Sequence, residues 1–279
     1  MSHSCRFWAK RWSRFGCLLL LSVVFWCGLQ TSTWAQGLMA TRQGVLQDRL
    51  ANYPRWTTLP PLSQRKGEIN YPGWFAGTWH VTSTLVEQLA PLEPDIVSPG
   101  FEQNESYLHR PIAFTVKFDT KTAFPEFTWA LSDLVQAPSV VLPDRRFNAE
   151  AITTAYLGDD LKFSVQVTLQ PLPRVVTVFD HGKRLTSTAI GHNQQAPSES
   201  EFIATELSTQ QFINGDSQYL NQVETTTDYQ QLDNGTITAT QITAVYLSPQ
   251  DPDYFKAQNR PIALYRYQLM LEPEVSSGE

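Results

Sequence analysis

Short runs in which apolar and polar residues alternate fill much of this chain and constrain its fold more than any other feature. The clearest run covers residues 161–169, where every second residue is apolar and each intervening residue is polar. This period of two is typical of a β-strand in a sheet with one face in water. Similar runs predict further strands at residues 112–118, 149–156, 175–180, 184–190, 202–207, 218–229, 236–247 and 262–271.

Turn-forming triplets separate several of these predicted strands. Residues 158–160 (Gly-Asp-Asp), 181–183 (His-Gly-Lys) and 233–235 (Asp-Asn-Gly) each lie between two strand-like runs. About nine or ten strands joined mostly by short hairpins form a meander, which closes most simply as an up-and-down barrel. We therefore expect an all-β fold with an antiparallel up-and-down barrel, and a β-sandwich is the alternative architecture.

The first predicted strand carries a Gly-X-Trp motif. Residues 71–85 read Tyr-Pro-Gly-Trp-Phe-Ala-Gly-Thr-Trp-His-Val-Thr-Ser-Thr-Leu. Gly77 allows the chain to turn into a closely packed barrel floor, and Trp79 supplies a large side chain that plugs it. The motif resembles the first strand of a lipocalin-type (calycin) barrel.

Two further motifs extend the resemblance to lipocalins. Thr227-Asp228-Tyr229 resembles the second short lipocalin motif, which lies near a turn at the closed end of the barrel. The third motif is a basic residue on or after the last strand that packs across the tryptophan, and Arg266 is the candidate for it. The resemblance implies that Gly77, Trp79 and Arg266 belong to the barrel floor.

A closer resemblance covers most of the chain. The blocks at residues 71–84, 144–148 with 155–158, and 202–208 resemble an uncharacterised family of exported proteins of cyanobacteria and plastids. That resemblance implies a soluble protein of the periplasm or thylakoid lumen and brings no known activity. The block that begins at Asp144 is interpreted either as a salt-bridged turn that enters a strand or as a binding element.

The N-terminal segment has the composition of a signal peptide. Four basic residues within the first 14 precede an apolar run at residues 16–29 and the triplet Thr33-Trp34-Ala35. The apolar run is shorter than the roughly twenty residues of a membrane-spanning helix. We therefore expect cleavage after Ala35, with an uncleaved anchor as the alternative. All three cysteines lie in residues 1–35, so the mature chain would form no disulfide.

Charge and motif content exclude several function classes. Residues 1–35 hold four basic residues and no acidic one, so their removal takes the formal net charge from −6 to −10. Nucleic acids and anionic membranes require a basic face, and neither is expected as a partner.

The remaining histidines are far apart and no His-Glu-X-X-His occurs, so we expect no catalytic residues, metal site or cofactor. Gly-Asp-Ser at residues 215–217 is interpreted as a hairpin turn.

The predicted organisation is one large β domain after a short preface. Residues 36–70 comprise a short helix within residues 39–52 and an extended, proline-rich strap. Residues 71–273 form the barrel, and residues 274–279 form a flexible tail. Residues 125–136 have helical spacing, which predicts either a lid over the barrel or a packed surface insertion.

Two function classes fit these features. A barrel of this length can enclose a small apolar ligand such as a pigment, an isoprenoid or a fatty acid. We expect Phe163, Val165 and Val167 to face inward and to contact that ligand. The alternative is an accessory or assembly factor whose outer surface contacts a photosynthetic membrane protein complex. An enzyme that uses a carboxylate inside the barrel is a third hypothesis.

Overall fold

The structure is a computed structural model that describes residues 44–64, 67–122 and 139–274. The predicted signal peptide, the predicted helix at residues 125–136 and residues 275–279 of the predicted tail lie outside this described part. Among the residues it includes, none form a helix that is long and apolar enough to cross a membrane.

Ten antiparallel strands form one sheet that curls into a half-barrel. Each strand pairs with its neighbour along the chain, except that β3 and β4 do not pair and β1 pairs with β10. The all-β, antiparallel, lipocalin-like architecture is thus confirmed, and one continuous sheet replaces the alternative sandwich. The strands are β1 (Gly77–Leu89), β2 (Pro111–Thr122), β3 (Ser139–Pro143), β4 (Phe163–Thr168), β5 (Arg174–Phe179), β6 (Arg184–Gln195), β7 (Glu201–Asn214), β8 (Ser217–Gln231), β9 (Ile237–Leu247) and β10 (Ala263–Pro273).

Helices lie at the ends and along one side of the sheet. The α-helices of the described residues are α1 (Val45–Ala51), α2 (Phe101–Asn104), α3 (Arg145–Leu157) and α4 (Tyr254–Ala257). Helix α1 lies within the range predicted for an N-terminal helix. The hairpin predicted at Gly-Asp-Ser is confirmed, because β7 ends and β8 begins around Gly215 and Asp216.

The strand predicted at residues 149–156 is wrong, because this segment belongs to α3. The carboxylate of Asp144 caps the helix by accepting a hydrogen bond of 3.0 Å from a backbone N–H of the first turn. Asn148, Ile152 and Tyr156 recur every four residues, and they are buried or packed against buried side chains. The block that begins at Asp144 therefore starts a helix and does not enter a strand.

Two segments fill the seam between the unpaired edges of β3 and β4. Helix α3 packs on β2 and β4. The strap, which we define as residues 53–64 and 67–71, crosses the rest of the seam. Gln64 forms an antiparallel bridge with His192 of β6, and Tyr71 forms one with Val141 of β3. In the described part of the chain, the open side of the half-barrel is thus lined by a helix and an extended segment and not by a further ladder.

The Gly-X-Trp motif lies at the apolar end of the barrel. Gly77 begins β1 with a positive φ of 121°, a conformation that favours glycine. Trp79 is buried next to Phe75, and its Nε1 donates a hydrogen bond of 2.8 Å to the Phe75 carbonyl oxygen. Tyr71 and Phe118 each make ring contacts with Phe75. These side chains belong to the largest buried apolar cluster.

The expected contact between Arg266 and Trp79 is wrong. The register places Pro273, not Arg266, opposite Trp79. Alternation on β10 directs Tyr265 and Tyr267 into the buried cluster, so Arg266 points to the outer face. There its Nη2 lies 3.0 Å from the Glu87 carboxylate.

The outer face of β7–β10 is covered by α1 and the first part of the strap. Trp56 packs on Ile242 and Tyr246. Arg49 of α1 forms a buried ion pair with Glu224 of β8, which we call the outer pair.

Candidate binding site in the barrel interior

The three residues predicted to bind a ligand form the inward face of the edge strand β4. Phe163, Val165 and Val167 lie opposite residues of β5 that are themselves buried or packed inward, and Val165 is 1 % exposed. Phe163 joins a cluster that contains Ile152 of α3 and Phe179 of β5. Helix α3 therefore covers this wall of the barrel, and the role of these residues in ligand binding stays a prediction.

A polar row continues from this apolar wall across β6, β7 and β8. Five residues lie side by side on successive strands from β4 to β8. In this order they are Val167, Val175, Ser187, Gln210 and Asn221. We call Ser187, Gln210 and Asn221 the polar row. Gln210 and Asn221 are completely buried, so one wall of the interior changes from aliphatic to amide side chains within a few strands.

The polar row is incompletely hydrogen-bonded within the described residues. Neither side-chain amide atom of Gln210 has a partner there, and the same holds for the Oγ of Ser187. An unpaired buried amide or hydroxyl costs about 1–3 kcal/mol. The folded protein therefore carries polar groups in its interior that its own described side chains do not satisfy.

A charged cluster lies next to the polar row, where the strap and α3 meet the sheet. Arg145, the first residue of α3, is buried, and its Nη2 lies 3.1 Å from Oε2 of Glu206 on β7. We call this the inner pair. Ser208 donates a hydrogen bond of 3.0 Å to the other Glu206 oxygen. Glu68 of the strap and His192 of β6, which lies opposite Glu206, complete the cluster, and both are buried.

Burial changes the protonation of this cluster. Burial raises the pKa of Glu68 to about 9, where Glu206 also raises it and Arg145 opposes the shift. Burial and the positive charge of Arg145 lower the pKa of His192 to about 4. At neutral pH, Glu68 is therefore a neutral acid and His192 a neutral base beside the inner pair. The Nε2 atom of His192 has no hydrogen-bond partner among the described residues.

At neutral pH the cluster therefore presents an uncharged carboxyl group and an uncharged imidazole beside the inner pair. Within the described ranges, no group of three or more His, Cys, Asp or Glu side chains is arranged to hold a metal ion.

Sequence reasoning missed Glu68, His192, Glu206 and Gln210 as interior residues. A signal for two of them exists in β7. Its inward positions begin with Phe202 and Ala204 and then continue with Glu206 and Gln210 in the same phase. When polar residues take over the alternate positions that apolar residues occupy earlier in the same strand, they indicate that the inward face becomes polar.

Comparison with known proteins finds one matching family. The model of a family described as Domain of unknown function (DUF6816) matches residues 64–275. The matched range includes all ten strands, α3 and the end of the strap. No curated protein and no solved structure matches the chain.

Proposed function

We propose that this chain, which belongs to the DUF6816 family, binds a small, mainly apolar molecule inside its barrel. A pigment, an isoprenoid or a fatty acid has suitable chemistry. The protein acts as a carrier or binding module rather than as an enzyme.

The observation that carries this proposal is the incomplete burial of aromatic side chains at the covered wall. Phe114, Tyr156 and Phe163 pack against the Ile152 cluster but are only half-buried. At the floor, by contrast, Phe75 and Trp79 are almost completely buried. A core filled by its own side chains is packed to the density of an organic crystal. Half-buried apolar groups inside a barrel are the kind of surface that a ligand covers.

A bulky substitution on the inner face of β4 tests the proposal. Val165→Trp should place a bulky indole on the inner face of β4 next to Phe163 and reduce retinol binding at least about ten-fold. Retinol fluorescence measures the binding, and circular dichroism checks that the protein stays β-rich. Ser164→Trp is the matched control, because Ser164 is exposed on the other face of the same strand. Equal retinol binding by Val165→Trp and the parent protein would contradict an interior site.

Export to a periplasm or thylakoid lumen is part of the proposal. It is supported by the basic, apolar and small-residue regions of residues 1–35 and by the resemblance to exported proteins of cyanobacteria and plastids. N-terminal sequencing of the protein from its source should find Gln36 as the first residue. A retained N-terminus in a membrane fraction would contradict cleavage.

A second candidate function is that of an accessory factor of a membrane complex. It is favoured by Phe255, which is 86 % exposed on α4 between β9 and β10. Such a side chain, on a strongly acidic protein, could contact a basic partner surface. Phe255→Ser should then abolish co-purification with that complex and leave retinol binding unchanged. Unchanged co-purification would remove the support for this candidate.

A further inference from the structure

We infer that the molecule bound inside the barrel ends in an uncharged hydroxyl group held by Gln210 of the polar row. This inference rests on the proposed function and narrows its ligand class to long-chain or isoprenoid alcohols. The apolar part of such a molecule would lie along Val167 and Val175, in the same row of the sheet.

The amide of Gln210 defines the hydrogen-bonding chemistry of the ligand. This side chain is completely buried, and in the described residues neither its oxygen nor its nitrogen is paired. The amide oxygen requires a donor, and the amide nitrogen requires an acceptor. A hydroxyl group both donates and accepts, so one hydroxyl can meet both requirements, whereas an ether or a carboxylate lacks the donor.

The neighbours of Gln210 are uncharged. Ser187 lies directly opposite it on one side, with its Oγ unpaired among the described residues, and Asn221 lies opposite it on the other side. Asn221 and Ser98 in turn interact with the Tyr219 hydroxyl. The polar wall is thus made of hydroxyl and amide groups, which suits a neutral polar end.

The distribution of charge disfavours a ligand that ends in an ionised carboxylate. The buried cations of the described residues are Arg49 and Arg145. Arg49 lies on the outer face, where it is paired with Glu224, and Arg145 is already paired with Glu206. A carboxylate beside Gln210 would therefore be buried without a free counterion. Ser208, two positions away along β7, could not pair with it, because its hydroxyl already donates to Glu206.

Gln210→Met separates a ligand-binding role from a structural one. Methionine has nearly the same shape as glutamine but offers no amide. If the amide waits for a ligand, the variant without ligand should be at least as resistant to urea as the parent protein, because an unpaired polar group has been removed. Gln211→Met is the matched control, since it makes the same change on the opposite face of β7.

Retinol, retinoic acid and retinyl methyl ether serve as probes with the full chain, because they share one apolar body and differ in the end group. The parent protein should bind retinol about ten-fold more tightly than either of the others, as expected for a hydrogen bond that only retinol completes. Gln210→Met should remove this preference, while Gln211→Met should keep it. Ser187→Ala provides a second variant if Gln210→Met does not fold, and it should weaken retinol binding selectively.

The possible failures are distinguishable. If no probe binds to the parent protein, the proposed function fails. If all three bind with equal affinity, or if Gln210→Met lowers urea resistance and keeps the preference for retinol, the barrel binds apolar molecules but the inference about their hydroxyl end is overturned.

Discussion

The two buried Arg–Glu pairs lie on opposite faces of the same sheet and differ in how completely they are satisfied. In the outer pair, Glu224 accepts hydrogen bonds from Arg49, Thr226 and Tyr246, two at each carboxylate oxygen. The Arg49 guanidinium also lies 4.0 Å above the Trp56 ring. In the inner pair, Glu206 shares its surroundings with a second acid, Glu68, and with the Nε2 atom of His192, which has no hydrogen-bond partner in the described ranges.

The pKa values of the two arginines shift in opposite directions, although burial lowers both. Burial alone would lower the pKa of Arg49, but the hydrogen bond and charge of Glu224, together with Tyr246, raise it. For Arg145, burial outweighs the attraction of Glu206 and Glu68, and its pKa is lowered. The outer pair is thus a complete structural connection between α1 and the sheet, whereas burial of the inner pair is only partly offset by its neighbours.

The largest effect should come from breaking the outer pair. Glu224→Gln leaves the Arg49 charge buried without a carboxylate, and such a loss costs about 3–5 kcal/mol of unfolding free energy. Urea denaturation measures this change. Arg146→Ala is the control, because Arg146 forms an exposed pair with Glu150 that contributes at most about 0.5 kcal/mol. A loss below about 1 kcal/mol for Glu224→Gln would contradict the comparison.

The inner pair should tolerate the same substitution better. In Glu206→Gln, the charge that helps to raise the pKa of Glu68 is removed, so Glu68 can ionise and balance Arg145. We expect a loss of about 1–2 kcal/mol, smaller than that of Glu224→Gln. The double variant Glu68→Gln/Glu206→Gln should lose as much as Glu224→Gln. Equal losses for Glu206→Gln and Glu224→Gln would show that Glu68 does not replace Glu206.

Stability should fall as pH rises because of Glu68. Its pKa is 4.5 in the unfolded reference and about 9 in the folded protein, so folding takes up a proton between these values. Folding lowers the pKa of His192 from 6.5 to about 4, so this imidazole releases a proton on folding between these two pH values. Its release offsets the effect of Glu68 below pH 6.5. Between pH 6.5 and 9, unfolding free energy should therefore decline by at most about 1.4 kcal/mol per pH unit. Urea midpoints measured across this range should decline for the parent and stay level for Glu68→Gln; an unchanged decline in the variant would exclude Glu68 as its source.

The smallest effect should come from breaking the partly exposed ion pair between Arg266 and Glu87. The side chain of Arg266 is 40 % exposed beside Glu87, and such pairs contribute about 0–1 kcal/mol. Arg266→Ala should therefore change the urea midpoint little, and its effect should add to that of Trp79→Ala because the two side chains do not meet. A clear departure from additivity in the double variant would contradict the register of β1 and β10.

The strands with clear alternation could be predicted from the sequence, but the seam could not. Strand β4 shows the period-two pattern over its whole length, whereas β3 has only five residues and ends at Pro143. The β-branched residues Ile152, Thr153 and Thr154 favour a strand locally, and packing on β2 and β4 overrides that preference in α3. The cap residue Asp144 was the available signal for a helix.

The charged cluster could not be predicted from the sequence for a different reason. Its four members come from the strap, α3, β6 and β7, and no sequence spacing relates them. They meet because the strap and α3 occupy the seam beside β6 and β7. For Arg266, alternation alone allowed either face, and the register with β1 decides between them.

The pairing of β1 with β10 also determines when the sheet can be completed during synthesis. Trp79 lies opposite Pro273, so the first strand obtains its second neighbour only when the last strand has left the ribosome. Contacts between such distant parts of a chain must overcome a large loop entropy, and folds that depend on them form slowly. A chain that closes late can pass unfolded through a membrane channel, so this topology is well suited to the export that we propose.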